Sequence, residues 1–211
     1  MSTSVTGVSL VLPDGFITDS AFNNNAEIAI SRLAQQTFQK FAVPFTSMRV
    51  WDAMASLPVT TAANDDLAFL TGTPGTSNLK LSTGDVKTLG PTTRKIGFEI
   101  AVPPNYEDGQ TIEVRIRCGM ETTIADTAAN VDLQAWIGNG GGGVGSDLVT
   151  STASNCNSLT AADKDFTLDA ANIDPGDKIQ AVISFFVQDG ASNTAVTGAI
   201  YEVALRCDTR G

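Results

Sequence analysis

From Met48 onward the chain alternates apolar and polar residues with a period of two, the signature of half-buried strands. The run "KIGFEIAV" sets Ile96, Phe98, Ile100 and Val102 on one face. In "TIEVRIRCGM", Ile112, Val114, Ile116, Cys118 and Met120 point inward, while Glu113, Arg115 and Arg117 point outward. "VDLQAWI" alternates through Val131, Leu133, Ala135 and Ile137, and "YEVALRC" through Tyr201, Val203, Leu205 and Cys207. "KIQAVISFFV" carries Ile179, Ala181, Ile183, Phe185 and Val187 on one side and also Val182 and Phe186 on the other. Apolar residues on both faces predict a central strand, or one covered on both sides. Weaker strand patterns fall at 47–52, 67–71, 78–82, 147–151 and 165–169. This many short strands with turn-rich links predict an all-β fold: a two-sheet antiparallel sandwich of jelly-roll type.

Residues 1–46 carry a different pattern. "SVTGVSLVL" has strand character and ends at the turn "PDG". The segment "TDSAFNNNAEIAISRLAQQTFQKFAVP" then sets Ala26, Ile30, Leu33 and Thr37 on one helical face, with Phe41 near its end and Ala34 and Phe38 widening the stripe. Asp19 or Asn25 would cap this amphipathic helix and Pro44 would close it. The predicted organisation is an N-terminal arm and helix over 1–46 and a sandwich body over 47–211. The arm is expected to anchor the protein, because an extended apolar end favours joining another sheet edge.

An internal echo runs through the body. "FEIAVPPNYEDGQTIEVRI" (98–116) resembles "FTLDAANIDPGDKIQAVI" (166–183), and a Trp strand and an acidic "DL" precede each copy. Duplication of a Greek key would produce this, and so would convergence on one turn chemistry.

Composition narrows the function. Charged residues make up 17% of the chain, below the roughly 25% of an ordinary domain. Thirteen cations against 23 carboxylates leave a net charge of −10, which disfavours direct contact with nucleic acid. The sequence has no histidine, which removes the commonest general base and the usual zinc ligand. Cys118, Cys156 and Cys207 are widely spaced, and Cys118 and Cys207 fall in register with apolar residues, so buried thiols in a reducing cytoplasm are expected. "MSTSVTGVSLVL" lacks the pattern of a signal peptide, and no apolar run approaches a membrane span.

The glycine-rich "AWIGNGGGGVGSD" contains G-x-G-x-x-G at Gly138, Gly140 and Gly143. A dinucleotide loop must open a helix, and "VGSDLVTSTASN" has no helical stripe. Ser146 also stands where the lysine of a phosphate loop belongs. A hairpin loop open to close approach by a neighbour is the expectation. Asp163, Asp165, Asp169, Asp174 and Asp177 lack the order of a calcium loop and read as rim and turn carboxylates. The adjacent pairs Asp65-Asp66 and Glu107-Asp108 would point to opposite faces of a strand, so the chain is expected not to be an enzyme. Trp51 and Trp136 sit in strand-like runs and read first as core residues, although Trp136 is out of phase with its strand's apolar face.

The segments "NAEIAISRLAQQTFQKFAVPFTSMRVWDA", "TTIADTAANVDLQAWIGNGGGGVGSDLV" and "NSLTAADKDFTLDAANIDPGDKIQAVISFFVQDG" resemble, in style and layout, small structural proteins of tailed-bacteriophage virions. Capsid decoration (cement) proteins are the closest in kind, over about residues 25–207. The resemblance implies a β-sandwich, often a homotrimer, assembled in the host cytoplasm and seated on the capsid exterior. It would clamp the major capsid protein and its own copies, with no cofactor, metal or catalytic residue and no membrane or direct nucleic-acid contact. The alternative is a carbohydrate- or receptor-binding module of a head fibre or tail tip. Exposure of Trp51, Trp136 or Tyr106 in one patch would favour that alternative.

Overall fold

The computed structural model describes residues 36–73, 75–87, 90–138, 145–190 and 194–210. Ten strands form among them: β1 (Gln36–Ala42), β2 (Ala68–Leu70), β3 (Lys80–Ser82), β4 (Thr92–Ala101), β5 (Ile112–Met120), β6 (Ala128–Ile137), β7 (Ser154–Asn155), β8 (Ala162–Thr167), β9 (Lys178–Gln188) and β10 (Gly198–Arg210). One sheet has the order β2-β3-β10-β5-β8, with β1 also on β10, and the other has β4-β9-β6-β7. All the pairings are antiparallel.

Strands β3 to β10 pair first with eighth, second with seventh, third with sixth and fourth with fifth. That is one long hairpin rolled into two sheets, the jelly roll. The predicted inward faces meet between the sheets: Ile96, Phe98, Ile112, Ile116, Val131, Leu133, Ile183, Phe185 and Leu205 are all buried. Strand β9 is central in its sheet, as its two-sided apolar pattern predicts.

The echoed segments lie side by side. Phe98 pairs with Ala181 on β9, and its counterpart Phe166 pairs with Val114 on β5. Ile100 likewise faces Ile179, while Leu168 donates its N–H to the Ile112 carbonyl. The same register therefore recurs in both sheets. Gly109 and Gly176 turn each copy at φ of 73° and 86°, where a side chain would be strained.

Three expectations need correction. The helix predicted through Pro44 does not extend over 36–42, which form β1 along Ala204–Arg210 of β10. The thirteen-residue β10 outruns β3, and its remaining edge holds seven residues of unpaired backbone unless another segment joins. Pairing there satisfies backbone groups that a helical stripe would leave bare. The sandwich body therefore takes in residues ahead of 47. The earlier part of the expected helix and the segment "SVTGVSLVL" lie outside the described residues. The second correction concerns Tyr201, which is not inward. A bulge between Ile200 and Glu202 shifts the register, so Ile200 is buried and Tyr201 is only half-buried. Third, neither tryptophan belongs to the core: both are half-buried on the outside of the four-stranded sheet.

The thiols are buried as expected. A hydrogen bond with the Cys118 side chain, together with burial, pushes the Cys156 thiol far above its ordinary range, and burial pushes Cys207 up to about 11.

Tyr106 is buried, and its hydroxyl donates to the Gln110 carbonyl at 2.6 Å. Burial, then the nearby Asp108, holds its pKa up at about 12, against an ordinary 10. A raised folded-state value means the neutral phenol stabilises the fold fully below pH 10, and that contribution is lost as the pH rises toward 12. Urea midpoints measured across this window should fall less steeply for Tyr106→Phe than for wild type. Equal slopes would show that Tyr106 ionises freely in the folded protein.

Candidate functional site

The two outer faces of the sandwich differ in chemistry. On the six-stranded sheet, cross-strand neighbours form an ion-pair ladder. Arg115 holds Asp165 by two bonds of 2.6 and 2.7 Å, Arg117 holds Asp163 at 3.0 Å, and Arg206 holds Glu113 at 2.6 Å. Arg206 also stacks on Phe38 at 4.3 Å, and Lys40 pairs with Glu202. The three arginine pairs each sit directly across a strand boundary, so that part of the ladder follows from register. The Arg115 guanidinium holds the Asp165 carboxyl below its ordinary range, whereas burial, then Asp165, raises that of Glu113.

The outer face of β4-β9-β6 is poorer in charge. Reading across the strands, Glu99, Gln180 and Trp136 share one row, and Gly97, Val182 and Gln134 share the next. Arg49 pairs with Gly97 through two backbone bonds of 2.8 and 2.9 Å, which brings the following turn beside β4. That turn closes with Met54 N–H to the Val50 carbonyl and Val50 N–H to the Ala55 carbonyl, both at 2.9 Å. It leans over the sheet: a Cβ added to Gly97 would meet the Trp51 Cα at 3.3 Å. Trp51 is fixed from two sides. Its Nε1–H donates to Asp65 Oδ2 at 2.9 Å, and Lys95 Nζ lies 4.1 Å from the ring centroid.

Trp136 stands on β6, two strand steps of about 4.8 Å from β4. Between the indoles lies a groove of about 490 Å³ with Val182 and Gln180 in its floor and Met54 on its wall. Gln180 Nε2 donates to Glu99 Oε1 at 2.8 Å, and Lys178 pairs with the same carboxylate at 3.2 Å. The Gln180 amide, then Lys178, lowers the pKa of Glu99. Gly138 leaves room for this amide, since a Cβ there would meet Gln180 Cγ at 2.8 Å.

No family model matches the sequence, and no curated protein is similar enough to count as a relative. Among solved structures the chain is similar to β-sandwich domains. One is a xylan-binding module, CBM15, at 14% identity and a TM-score of 0.43, over 83% of this chain and 100% of that one. Another is the CBM22-1 xylan-binding domain of Paenibacillus barcinonensis Xyn10C, at 8% identity and a TM-score of 0.41, over 84% and 99%. A chain of infectious bursal disease virus, Gt strain, is similar at 13% identity and a TM-score of 0.35, over 81% and 37%. Likeness at this level is one of sandwich architecture. The site rests on its own geometry.

The other residues singled out in the sequence fall elsewhere. Asp163 and Asp165 belong to the ion-pair ladder. Asp169 caps a short 3-10 turn through the Ala171 N–H, and Asp177 accepts from the Asp174 N–H at 2.8 Å. Among the described residues, no three Asp, Glu or Cys side chains converge on a metal position. Asp65 is bound to Trp51, while Asp66 is buried, and burial, then Asp65, raises its pKa. Glu107 is paired with Arg210. Strand β6 precedes the glycine stretch, and its Gly138 N–H donates to the Lys178 carbonyl at 2.6 Å. Residues 139–144 lie outside the described residues, but 145–153 form no helix, so no helix N-terminus is available there for a pyrophosphate.

A second concavity, of about 570 Å³, is lined by Lys80, Glu121, Tyr201, Asn78 and Ser77. Lys80 and Glu121 are paired, and the Tyr201 hydroxyl donates to Glu121 at 3.4 Å. Gln180, Met54 and Gly97 were not singled out in the sequence. The out-of-phase position of Trp136 and the outward Val182 pointed toward this face.

Proposed function

We propose that this chain is a non-catalytic structural protein of a tailed-phage virion that works by binding. Its place is the capsid exterior, where it attaches to coat subunits and to its own copies, most simply as a trimer. The observation that carries a binding role is the contrast between the outer faces. One is closed by a ladder of ion pairs, and the other offers two half-buried indoles and a half-buried Val182 beside an exposed Met54. A jelly roll suits this work because its sheets present fixed surfaces, and the architecture serves both capsid proteins and lectins. Attachment falls to the N-terminal segment, whose apolar run "SVTGVSLVL" favours joining a sheet edge on a neighbour.

Deleting residues 2–20 tests the attachment. The shortened protein should keep its β-sheet circular dichroism spectrum. It should lose trimer mass in light scattering and fail to sediment with capsids that lack the protein. Wild-type occupancy of those capsids would overturn the anchoring role. A second reading, a carbohydrate- or receptor-binding module of a head fibre or tail tip, is favoured by the paired indoles. It shares the groove and differs in where the virion carries it. Sedimentation with purified tails would place it at a tail tip, and sedimentation with isolated head fibres would place it on a head fibre.

A further inference from the structure

The geometry points to the Trp51–Trp136 groove as a binding site for an uncharged glycan chain. This rests on the reading of the chain as a binding protein and names the ligand of that face.

A pyranose ring has two unlike surfaces. Its axial C–H bonds form an apolar face, and its hydroxyls form a polar rim. A site for it therefore needs an aromatic plane for the first and fixed hydrogen-bonding groups for the second. The groove places both kinds together. Trp136 stands beside Gln180 in a single cross-strand row, and Trp51 closes the far wall. Two steps of about 4.8 Å between the rows of β6 and β4 leave room for a short chain of rings rather than one sugar. A volume of about 490 Å³ lies within the roughly 300–1,000 Å³ of ordinary ligand sites.

The site is built before any ligand arrives. Asp65 and Lys95 hold Trp51, and Glu99 holds the Gln180 amide. Little side-chain freedom remains to be lost on binding. The glycines at 97 and 138 clear the space that the turn and the amide occupy.

Charge selects the class. The charged side chain lining the groove is Glu99, and Lys178 already compensates it. The net charge of −10 further disfavours an anionic polysaccharide. A second protein copy would be expected to meet a broader apolar area than one groove.

The test is affinity electrophoresis of the full-length protein in native gels containing xylan, glucomannan, mannan or laminarin, with alginate as the anionic comparison. At least one neutral polysaccharide should retard the protein, and alginate should not. Trp136→Ala should weaken that retardation tenfold or more, and Gln180→Ala should weaken it several-fold. Leu159→Ala, at an exposed site away from the groove, should change nothing. Trp136→Phe keeps the test open if the alanine variant fails to fold, and should retain part of the binding. Retardation by none of the neutral polymers overturns the proposal. So does retardation that survives both substitutions. If Trp136→Ala instead dissociates the oligomer and no glycan binds, the groove is an interface between copies. Capsid sedimentation is read separately, so attachment and glycan binding can fail independently.

Discussion

Phe185→Ala should remove about 3–5 kcal/mol of stability, a large share of the roughly 5–15 kcal/mol that holds a domain folded. Phe185 is fully buried on the central strand β9 and faces across the sandwich to the other sheet. Its ring lies against Gly198 at the start of β10, where an added Cβ would fall on the ring itself. Gly198→Ala should therefore also destabilise, by about 1–3 kcal/mol, through overpacking. The two changes must interact. With the ring gone, the methyl of Gly198→Ala enters vacated space, so the double variant should be little worse than Phe185→Ala alone. Urea unfolding of the four proteins measures this. Additive losses would mean that the two residues do not meet and that the sheets are stacked differently.

Chains that begin at residue 36 and at residue 44 should differ just as sharply. The first keeps β1. The second strips it and leaves Ala204–Arg210 unpaired along one edge, together with the Val203 carbonyl that accepts the Val43 N–H at 2.8 Å. At about 0.5–1.5 kcal/mol net for each backbone bond, the expected loss is about 3–6 kcal/mol. The exposed edge should also promote aggregation, which light scattering would detect. Equal stability and equal solubility would show that β1 adds nothing to the sheet, and would return residues 36–42 to the helix that their apolar spacing predicts.

Those residues show what a local pattern can and cannot decide. In "QTFQKFA", Phe38 and Phe41 fit a helical stripe as well as they fit a strand. The choice depends on the free edge of β10, more than 160 residues later in the chain. Tyr201 failed for a related reason. Alternation predicted it inward, but a bulge opposite β5 resets the phase, and nothing in "YEVALRC" marks the bulge. The tryptophans were read by the company they keep in sequence. Trp136 was legible from its phase. Trp51 was not, because its position depends on a turn that leans over Gly97 from outside the strand.

By itself the sequence determined the long strands β4, β5, β6 and β9 and their inward faces. In β5, β6 and β9, successive side chains must point to opposite sides of the backbone, so a period of two names the buried set without knowledge of any partner. It also set the absence of imidazole, the low charge and the acidic balance, which are properties of composition. Tertiary structure alone decided the pairing of second strand with seventh and third with sixth, the capture of residues 36–42 and the meeting of Trp51, Gln180 and Trp136 in one groove. Each joins residues far apart in the chain. Such contacts are selected by competition among all the available edges and faces for backbone pairing and burial, and a local pattern records only what each segment brings to that competition.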